Sequence, residues 1–381
     1  MRSHFGNNLK IEVSGESHGE SVSAKVTGVP AGYKIDGEKL KAFMKRRQGG
    51  NLPFTTPRKE EDLPEFVTGV DENGVTTGEP LTAVIYNRNV RSGDYAGFAD
   101  TPRPSHAEYT AQMRYGKDID LRGGGHFSAR LTAPLCAVGG ILKQMLESKG
   151  IYIGSHLYSV GGVLDTPYSL TDVDRNALDA SLKGRSLPVI SDEAAEMMTA
   201  ELAAAAKESD SLGGVVECAV IGMPAGYGDP LYDGVENCLA GAMFGLGGVR
   251  GIEFGTGFAA SAMRGSQHND PFCIKDGKVM TETNHHGGVI GGITSGMPIV
   301  FRVAFKPTAS IGIEQKTVSL SEMKETVIKI GGRHDPCIAI RALPCVEALT
   351  AIVLADLMLA KTPTFFENES LIASQPAKKL L

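Results

Sequence analysis

The sequence contains no tryptophan, and its six cysteines are scattered without a CxxC pair. Cysteines without paired spacing are typical of reduced thiols, which predicts a protein of a reducing compartment, the cytoplasm. A basic excess is also missing, since the formal net charge is −6 at pH 7. Nucleic-acid-binding proteins usually carry such an excess, so this class of function is not favoured.

Long apolar runs are lacking as well. The N-terminal segment MRSHFGNNLKIEV has no apolar core like that of a signal peptide, and no run approaches the ~18 residues of a membrane span. We therefore predict no membrane association. Glycine, by contrast, is abundant at 47 of 381 residues, which indicates the tight turns and close backbone approaches that small-molecule sites need.

Two short motifs recur in the same order along the chain. VTGVPAGY at 26–33 returns as VIGMPAGY at 220–227, and GVTTGEPL at 74–81 returns as GITSGMPI at 292–299. In each half, Val-, Ile- and Phe-rich runs bounded by Gly and Pro predict strands around one helix, at 39–47 and at 235–244. Repetition of this kind predicts an internal duplication with a pseudo-two-fold axis.

A long apolar helix is predicted to close each half, after residue 131 and after residue 343. The second is apolar nearly all round until Lys361, so it must be covered on more than one side. We therefore predict an α+β fold: an internally duplicated β-α-β sandwich with long apolar helices packed between antiparallel sheets. One domain would span 1–381, with pseudo-repeats at about 10–150 and 208–361, a helical connection at 191–207 and a C-terminal tail at 362–381.

The segments 88–125 and 259–290 interrupt the two halves at different places and are rich in Gly, Pro, His, Arg and Asn. Loops on a rigid scaffold commonly carry function, so these segments are expected to contribute to a functional site. GESHG at 15–19 fits the G-x-S-x-G pattern of a nucleophile elbow, which needs a helix after it. A strand is predicted there instead, which leaves a polar hairpin turn or a functional Ser-His pair as the better interpretations.

Three further motifs contain histidine beside glycine or arginine. GGGHFSAR at 123–130 precedes the first long helix, and a glycine turn at a helix N-terminus either binds an anion or simply begins the helix. NHHGG at 284–288 predicts no metal site, because adjacent histidines on a strand point to opposite faces. In GRHDP at 332–336, a cap of the second long helix explains Asp335 before Pro336 but does not explain Arg333 and His334.

Arginine accumulates around these motifs although the net charge is negative. Forked guanidinium donors suit carboxylates and phosphates, so a ligand with several anionic groups is predicted. Ordinary surface positions remain the alternative for Arg58 and Arg91. The set comprises Arg46, Arg47, Arg58, Arg91, Arg103, Arg122, Arg130, Arg333 and Arg341.

Together the motifs resemble those of the chorismate synthase family. The chain has GESHG, RPSHA, RGGG–SAR, VRGIEFG, NHHGGVIGGITSG, FKPTASI and GRHDPCIAIRA-P in the family's order. The resemblance implies an α+β sandwich, a homotetramer and a lyase of the shikimate pathway for aromatic amino acids. It implies 1,4-anti elimination of phosphate from 5-enolpyruvylshikimate 3-phosphate to give chorismate, with reduced FMN and no net redox change.

The resemblance also implies roles for individual residues. His106 would protonate the flavin, His18 would protonate the departing phosphate, and Asp335 with Ser17 would relay the substrate's proton from flavin N5. The implied substrate-binding residues are Arg46, Arg47, Arg103, Arg130 and Arg333. The implied cofactor-binding residues are His126, Phe127, Ser128, Gly247, Gly248, Gly291, Lys306, Pro307, Thr308, Ala309, Ser310 and Arg333.

Some positions depart from the family's pattern. His126 stands where the family usually has Arg, Gly247-Gly248 where it often has Asn-Ala, and KRRQGG, with Gln48, where it commonly has RRRPG. No reductase domain is visible, so an external flavin reductase is favoured over an intrinsic NADPH activity. Two alternatives remain at this point: an FMN- or nucleotide-binding protein without the elimination activity, and a serine hydrolase. Stoichiometric FMN binding would exclude only the hydrolase.

Overall fold

The computed structural model describes residues 3–50, 54–55, 61–88, 97–182, 184–331, 335–362 and 366. The helices are α1 Gly37–Lys45, α2 Glu108–Tyr115, α3 Thr132–Ser148, α4 Arg175–Leu178, α5 Asp192–Lys207, α6 Val235–Phe244, α7 Gly265–His268 and α8 Ala339–Lys361. The strands are β1 His4–Phe5, β2 Lys10–Gly15, β3 Ser21–Thr27, β4 Glu65–Thr68, β5 Leu81–Tyr86, β6 Tyr152–Val160, β7 Val163–Leu164, β8 Gly214–Ile221, β9 Val249–Phe254, β10 Phe272–Lys275, β11 Lys278–Thr281, β12 Val289–Ile290, β13 Ile293–Thr294, β14 Ile299–Phe305, β15 Gln315–Ser319 and β16 Lys324–Ile328.

The first large sheet is antiparallel, with strand order β1-β2-β3-β5-β4. Its central strands alternate between buried and accessible side chains, as a sheet covered on one face requires. Val22, Ala24 and Val26 of β3 lie on the buried face. The helix α3 packs against β3 and β5 on this face and also contacts α1.

The second large sheet is antiparallel as well, with strand order β7-β6-β8-β14-β9. The strands β6 and β8 are buried along nearly their whole length, because α8 covers one face and a small cluster around Tyr168 and Leu178 covers the other. The strand β6 was not anticipated. Its sequence, YIGSHLYSV, lacks the polar alternation of a half-covered strand.

A buried histidine links charged residues within this second sheet. His156 lies 2.8 Å from Asp165 through Nδ1 and 2.9 Å from Glu217 through Nε2. Burial alone would lower the pKa of His156, but its hydrogen bonds with the two carboxylates raise it above its ordinary value of 6.5. The opposite oxygen of Glu217 accepts from Arg302 at 2.8 Å, so the buried charges alternate in sign.

The two long helices form the centre of the molecule. α3 packs against α8, and each also packs against one of the large sheets. The helices approach closely where Gly139 faces Ala348, since a Cβ added to Gly139 would lie 2.5 Å from the Ala348 Cβ. This arrangement of helices between antiparallel sheets confirms the predicted α+β sandwich.

The two halves repeat the same order of elements. β3, α1, β4 and β5 in the first half correspond to β8, α6, β9 and β14 in the second. In each half the first of these strands pairs with the last, which pairs with the middle one. The internal duplication is therefore visible in the topology. The repeat boundaries stay a prediction, and most of the tail at 362–381 lies outside the described residues.

One prediction about α8 was wrong. The helix begins at Ala339 after Ile338, with no side-chain cap, so neither Asp335 nor Pro336 has the predicted capping position. By length and composition alone the helix could also span a membrane. Because 94% of its apolar window is buried inside the protein, it has the surroundings of a core helix.

Candidate active site

GESHG forms the tight connection between β2 and β3. A strand precedes it and a strand follows it, so the strand-to-helix geometry of a nucleophile elbow is missing here. Ser17 and His18 are nevertheless buried, with 4% and 7% of their surface exposed. This turn therefore directs two polar side chains into the protein.

The glycine turn at 123–125 lies directly against these side chains. All three residues have positive φ, and the Gly125 carbonyl accepts a hydrogen bond from Ser17 N at 3.1 Å. A Cβ added to Gly123 would lie 2.5 Å from His18 Nε2, so only glycine fits there.

The next glycine of the turn reaches the second candidate histidine. A Cβ added to Gly124 would lie 3.3 Å from His106 Cε1 and 3.6 Å from Ser128 Cβ. The turn therefore brings together His18 and His106, which are 88 residues apart in the sequence.

Arg103 connects His106 to the segment after β14. It is buried, and its Nε donates to Glu108 at 2.9 Å while Nη1 donates to Ser310 Oγ at 2.8 Å. Its Nη2 contacts both Glu108 and His106. Arg103 thus has an acceptor for each of its three nitrogens within the protein.

Arg47 and Arg130 share one carboxylate, that of Asp62. Arg47 Nη1 lies 2.5 Å from one oxygen, and Arg130 Nη1 donates to the other. The remaining nitrogens of Arg47 donate to Thr132 Oγ1 and the Ala129 carbonyl. All three charged side chains are buried, and Asp62 has a positive φ of 46°.

Arg46 points elsewhere, toward the helix core. Both terminal nitrogens bind Glu347 of α8, at 2.9 and 2.6 Å. Glu347 also accepts from Ser155 Oγ at 2.7 Å. The partner of Arg46 is therefore a carboxylate that is held within the fold. The predicted substrate contact of Arg46 stays a prediction.

The predicted flavin segments converge near Arg103. Lys306 N donates to the Gly248 carbonyl at 2.9 Å, and Lys306 Nζ donates to the Ser105 carbonyl at 3.0 Å. A Cβ added to Gly247 would lie 3.9 Å from the Phe127 carbonyl oxygen. The segment from Lys306 to Ser310, which includes Pro307, Thr308 and Ala309, therefore lies beside 126–128 and 247–248.

Two predicted flavin contacts differ from this arrangement. Gly291 lies between β12 and β13, and no contact of the described residues joins it to the other candidates. His126 has both ring nitrogens engaged, Nδ1 with the Gly15 carbonyl at 2.8 Å and Nε2 with Ser3 Oγ at 2.5 Å. Its side chain thus fastens the glycine turn to β2.

The residues around Lys306 fit an anionic, flat cofactor such as a flavin nucleotide. Burial, with the positive charges of Arg250 and Arg103, lowers the pKa of Lys306 below its ordinary value of 10.5. Positive charges grouped in this way favour a phosphate. Gly247 has no side chain toward Phe127, where a Cβ would lie 3.9 Å from the carbonyl oxygen, so a flat group could approach the backbone there.

Asp335 lies on the same side of the site. Its carboxylate accepts from Arg341 Nη1 at 2.9 Å, and its carbonyl accepts from Thr308 Oγ1 at 2.7 Å. Ser17 instead lies near His18 and Gly123, so the described contacts do not join the predicted Asp335–Ser17 relay. Arg333 lies outside the described residues.

The neighbouring histidines of NHHGG lie in a turn rather than on a strand. Contrary to the opposite-face argument, both contact Asp270, His285 at 2.8 Å and His286 at 3.3 Å. Within the ranges that the structure describes, no group of three ligating side chains could hold a metal ion.

Comparison with known proteins decides the family. The family model described as chorismate synthase matches residues 9–359. The chain belongs to the chorismate synthase family. Chorismate synthase from Lancefieldella parvula is 42% identical over 365 residues, covering 93% of this chain and 96% of the relative. The Thermococcus gammatolerans enzyme is 44% identical over 357 residues, covering 93% and 97%.

A solved structure supports the same assignment. The crystal structure of a chorismate synthase superposes with a TM-score of 0.74 at 28% identity, covering 94% of this chain and 93% of that one. The predicted membership in the chorismate synthase family and its fold are thereby confirmed.

Sequence analysis of this chorismate synthase family member missed the acidic partners of its arginines. Asp62, Glu108 and Glu347 are buried, and each binds one or two of the candidate arginines. One general indication was available: several arginines that are buried close together need carboxylates beside them to balance their charge. The sequence pattern did not indicate which carboxylates these would be.

Proposed function

We propose that this chain converts 5-enolpyruvylshikimate 3-phosphate to chorismate and phosphate, with reduced FMN as the cofactor. Family membership supports the lyase activity. The observation that carries the mechanism is the position of His18 and His106 at adjacent glycines of one turn, with the positive charges of Arg103 and Lys306 close to His106.

The reduced flavin, when bound, would lend electron density to the allylic C–O bond and take up the hydrogen that leaves the substrate. Lys306 and the glycines at 247 and 248 would hold it, as would the segments 126–128 and 306–310. His106 would hold the proton on the flavin side of the glycine turn.

The substrate has a phosphate and two carboxylates, so its site must be positively charged. Arg47 and Arg130 would supply positive charge toward these anions, and Arg103 and Arg333 would add to it. His18 would deliver a proton to the departing phosphate, because a histidine changes its charge near neutral pH. Asp335 and Ser17 would assist removal of the substrate's proton.

The wider setting follows the family's pattern. We propose a cytoplasmic homotetramer that receives reduced flavin from an external flavin reductase, with NADPH reduction by the protein itself as the alternative. The absence of a basic excess in the sequence argues against a nucleic-acid partner.

The dependence on reduced flavin is the decisive test. Loss of phosphate and a proton leaves the overall oxidation state unchanged, so reductant should not be consumed. With oxidised FMN we expect no product. With chemically reduced FMN under anaerobic conditions, we expect many turnovers and one phosphate for each chorismate. The measurement combines chorismate absorbance with a phosphate assay while reductant is titrated. Product without reduced flavin, or reductant consumed one-for-one, would contradict this mechanism.

The same protein distinguishes the alternative functions. A flavin-binding protein without the elimination activity would bind FMN stoichiometrically and release no phosphate under reducing conditions. A serine hydrolase would need neither flavin nor anaerobic conditions. The hairpin geometry of GESHG gives that alternative no support.

A further inference from the structure

Glu108 is a buried carboxylate beside the histidine assigned to proton transfer. It is the first residue of α2, and its side chain is 0% exposed. One oxygen, Oε1, lies 2.7 Å from His106 Nδ1 and accepts from Arg103 Nε at 2.9 Å. A buried carboxylate without such partners would be costly, so the two contacts stabilise the charge inside the protein.

The contact with Glu108 determines which nitrogen of His106 is available for chemistry. A carboxylate only accepts hydrogen bonds, so Nδ1 carries the hydrogen and Nε2 becomes the position for proton exchange. A Cβ added to Gly124 would lie 3.5 Å from Nε2, which places this nitrogen at the glycine turn. Arg103 Nη2, at 3.1 Å from Nδ1 and 3.4 Å from Nε2, also restrains the ring.

The charges around Glu108 keep it ionised. Burial would raise the pKa of Glu108, but the hydrogen bond from His106 and the positive charges of His106 and Arg103 hold it below its ordinary value of 4.5. From the segment after β14, Lys306 reaches the carbonyl of the residue before His106. Other charged or titratable groups near the cluster are Arg250 on β9, beside Lys306, and His18 across the glycine turn.

We propose that Glu108 is a positioning residue, which fixes the tautomer of His106 while Arg103 holds Glu108 in place. This inference rests on the proposed role of His106. When the proton leaves Nε2, the ring becomes the neutral Nδ1–H tautomer and keeps its bond to Glu108. Glu108 itself therefore takes up no proton, as in other histidine–carboxylate pairs.

Histidine NMR on the flavin-free protein tests this directly. Glu108→Gln keeps the volume and one acceptor but removes the charge. The variant loses a hydrogen bond to a charged group, so we expect the ratio of the Nδ1–H to the Nε2–H tautomer of neutral His106 to fall at least about tenfold. Glu108→Asp, which keeps the charge, should restore part of the ratio. In the loaded enzyme, kcat of Glu108→Gln should fall by ~10² or more.

The control removes a carboxylate that lies away from the site. Glu147, near the end of α3, pairs with Lys143 at 2.9 Å, and Glu147→Gln should leave the His106 signals and kcat unchanged. A folded Glu108→Gln protein whose ratio stays within about twofold of the wild type would overturn the proposal. If that variant does not fold, the wild type and Glu108→Asp decide, and a neutral His106 that carries its hydrogen on Nε2 in both would also overturn the proposal.

The two levels of inference can fail separately. Full turnover by His106→Ala would remove His106 from the proposed mechanism, whatever the NMR result. An inactive His106→Ala combined with unchanged signals in Glu108→Gln would leave the proposed function intact and refute only the role of Glu108.

Discussion

Replacing Asp62 should show how much its buried carboxylate stabilises the two arginines that bind it. Asp62 binds Arg47 through one oxygen and Arg130 through the other, and all three side chains are buried. Asp62→Ala would leave two buried guanidinium groups without their carboxylate. Removing one partner of a buried ion pair typically costs about 3–5 kcal/mol, so we expect the free energy of unfolding to fall by this amount.

Asp62→Asn should cost less, because the amide keeps one carbonyl acceptor. A hydrogen bond to a charged group contributes about 1.5–3 kcal/mol, and one of the two would be lost. The measurement is urea unfolding followed by circular dichroism, with the free energy taken from the midpoint and the slope. Glu322→Gln is the matched control, since Glu322 pairs with Lys324 on the exposed surface and should matter by less than about 1 kcal/mol.

The reasoning would be refuted if Asp62→Asn unfolded with a free energy within about 0.5 kcal/mol of the wild type. Such a result would mean that water, or another acceptor, replaces the carboxylate without cost. A double-mutant cycle with Arg130→Met then gives the coupling between the two residues. Coupling near zero would show that Asp62 and Arg130 are neighbours without a net attraction.

Two further predictions concern histidines. His18→Ala and His106→Ala should each lower kcat by ~10²–10⁴ with the fold retained. His4→Ala, at an exposed position, is the control and should leave kcat unchanged. Near-full turnover by either of the first two variants would exclude that histidine from proton transfer. The pKa of His156 is raised on folding, so the protonated ring stabilises the folded protein. This contribution is fully present below pH 6.5, the ordinary pKa of histidine, and is lost as the pH rises through the pKa of His156 in the folded state. Unfolding free energies of the wild type should therefore decline over that range, and His156→Gln should remove the decline; parallel curves would contradict this.

The duplication could be predicted because it is written in local patterns. Strands, helices and Pro-Ala-Gly turns recur in the same order in both halves, and the structure repeats their pairing. The strand β6 escaped prediction because it is buried on both faces and so lacks polar alternation. The cap predicted at Asp335 was wrong because the Asp-Pro pattern is local, whereas the carboxylate of Asp335 binds Arg341 in the folded protein.

The candidate site could be predicted only in its basic and histidine residues. His18 and His106 belong to short motifs, and the structure places both at the glycine turn. The acidic partners of the arginines and of His106 were missed, because nothing in the sequence distinguishes Asp62 and Glu108 from other acidic residues. Asp62 meets Arg130 across 68 positions of the chain, a contact that only the folded topology creates.

The contact between Gly139 and Ala348 has a consequence for how the site can tolerate change. The helix α3 follows the turn that carries the histidine contacts, and α8 follows Asp335 in the half that carries Lys306. The separation of these two helices therefore affects the separation of the glycine turn at 123–125 from Asp335. A packed interior transmits displacement instead of absorbing it, so a single methyl group added at position 139 should displace candidate site residues with which it makes no contact.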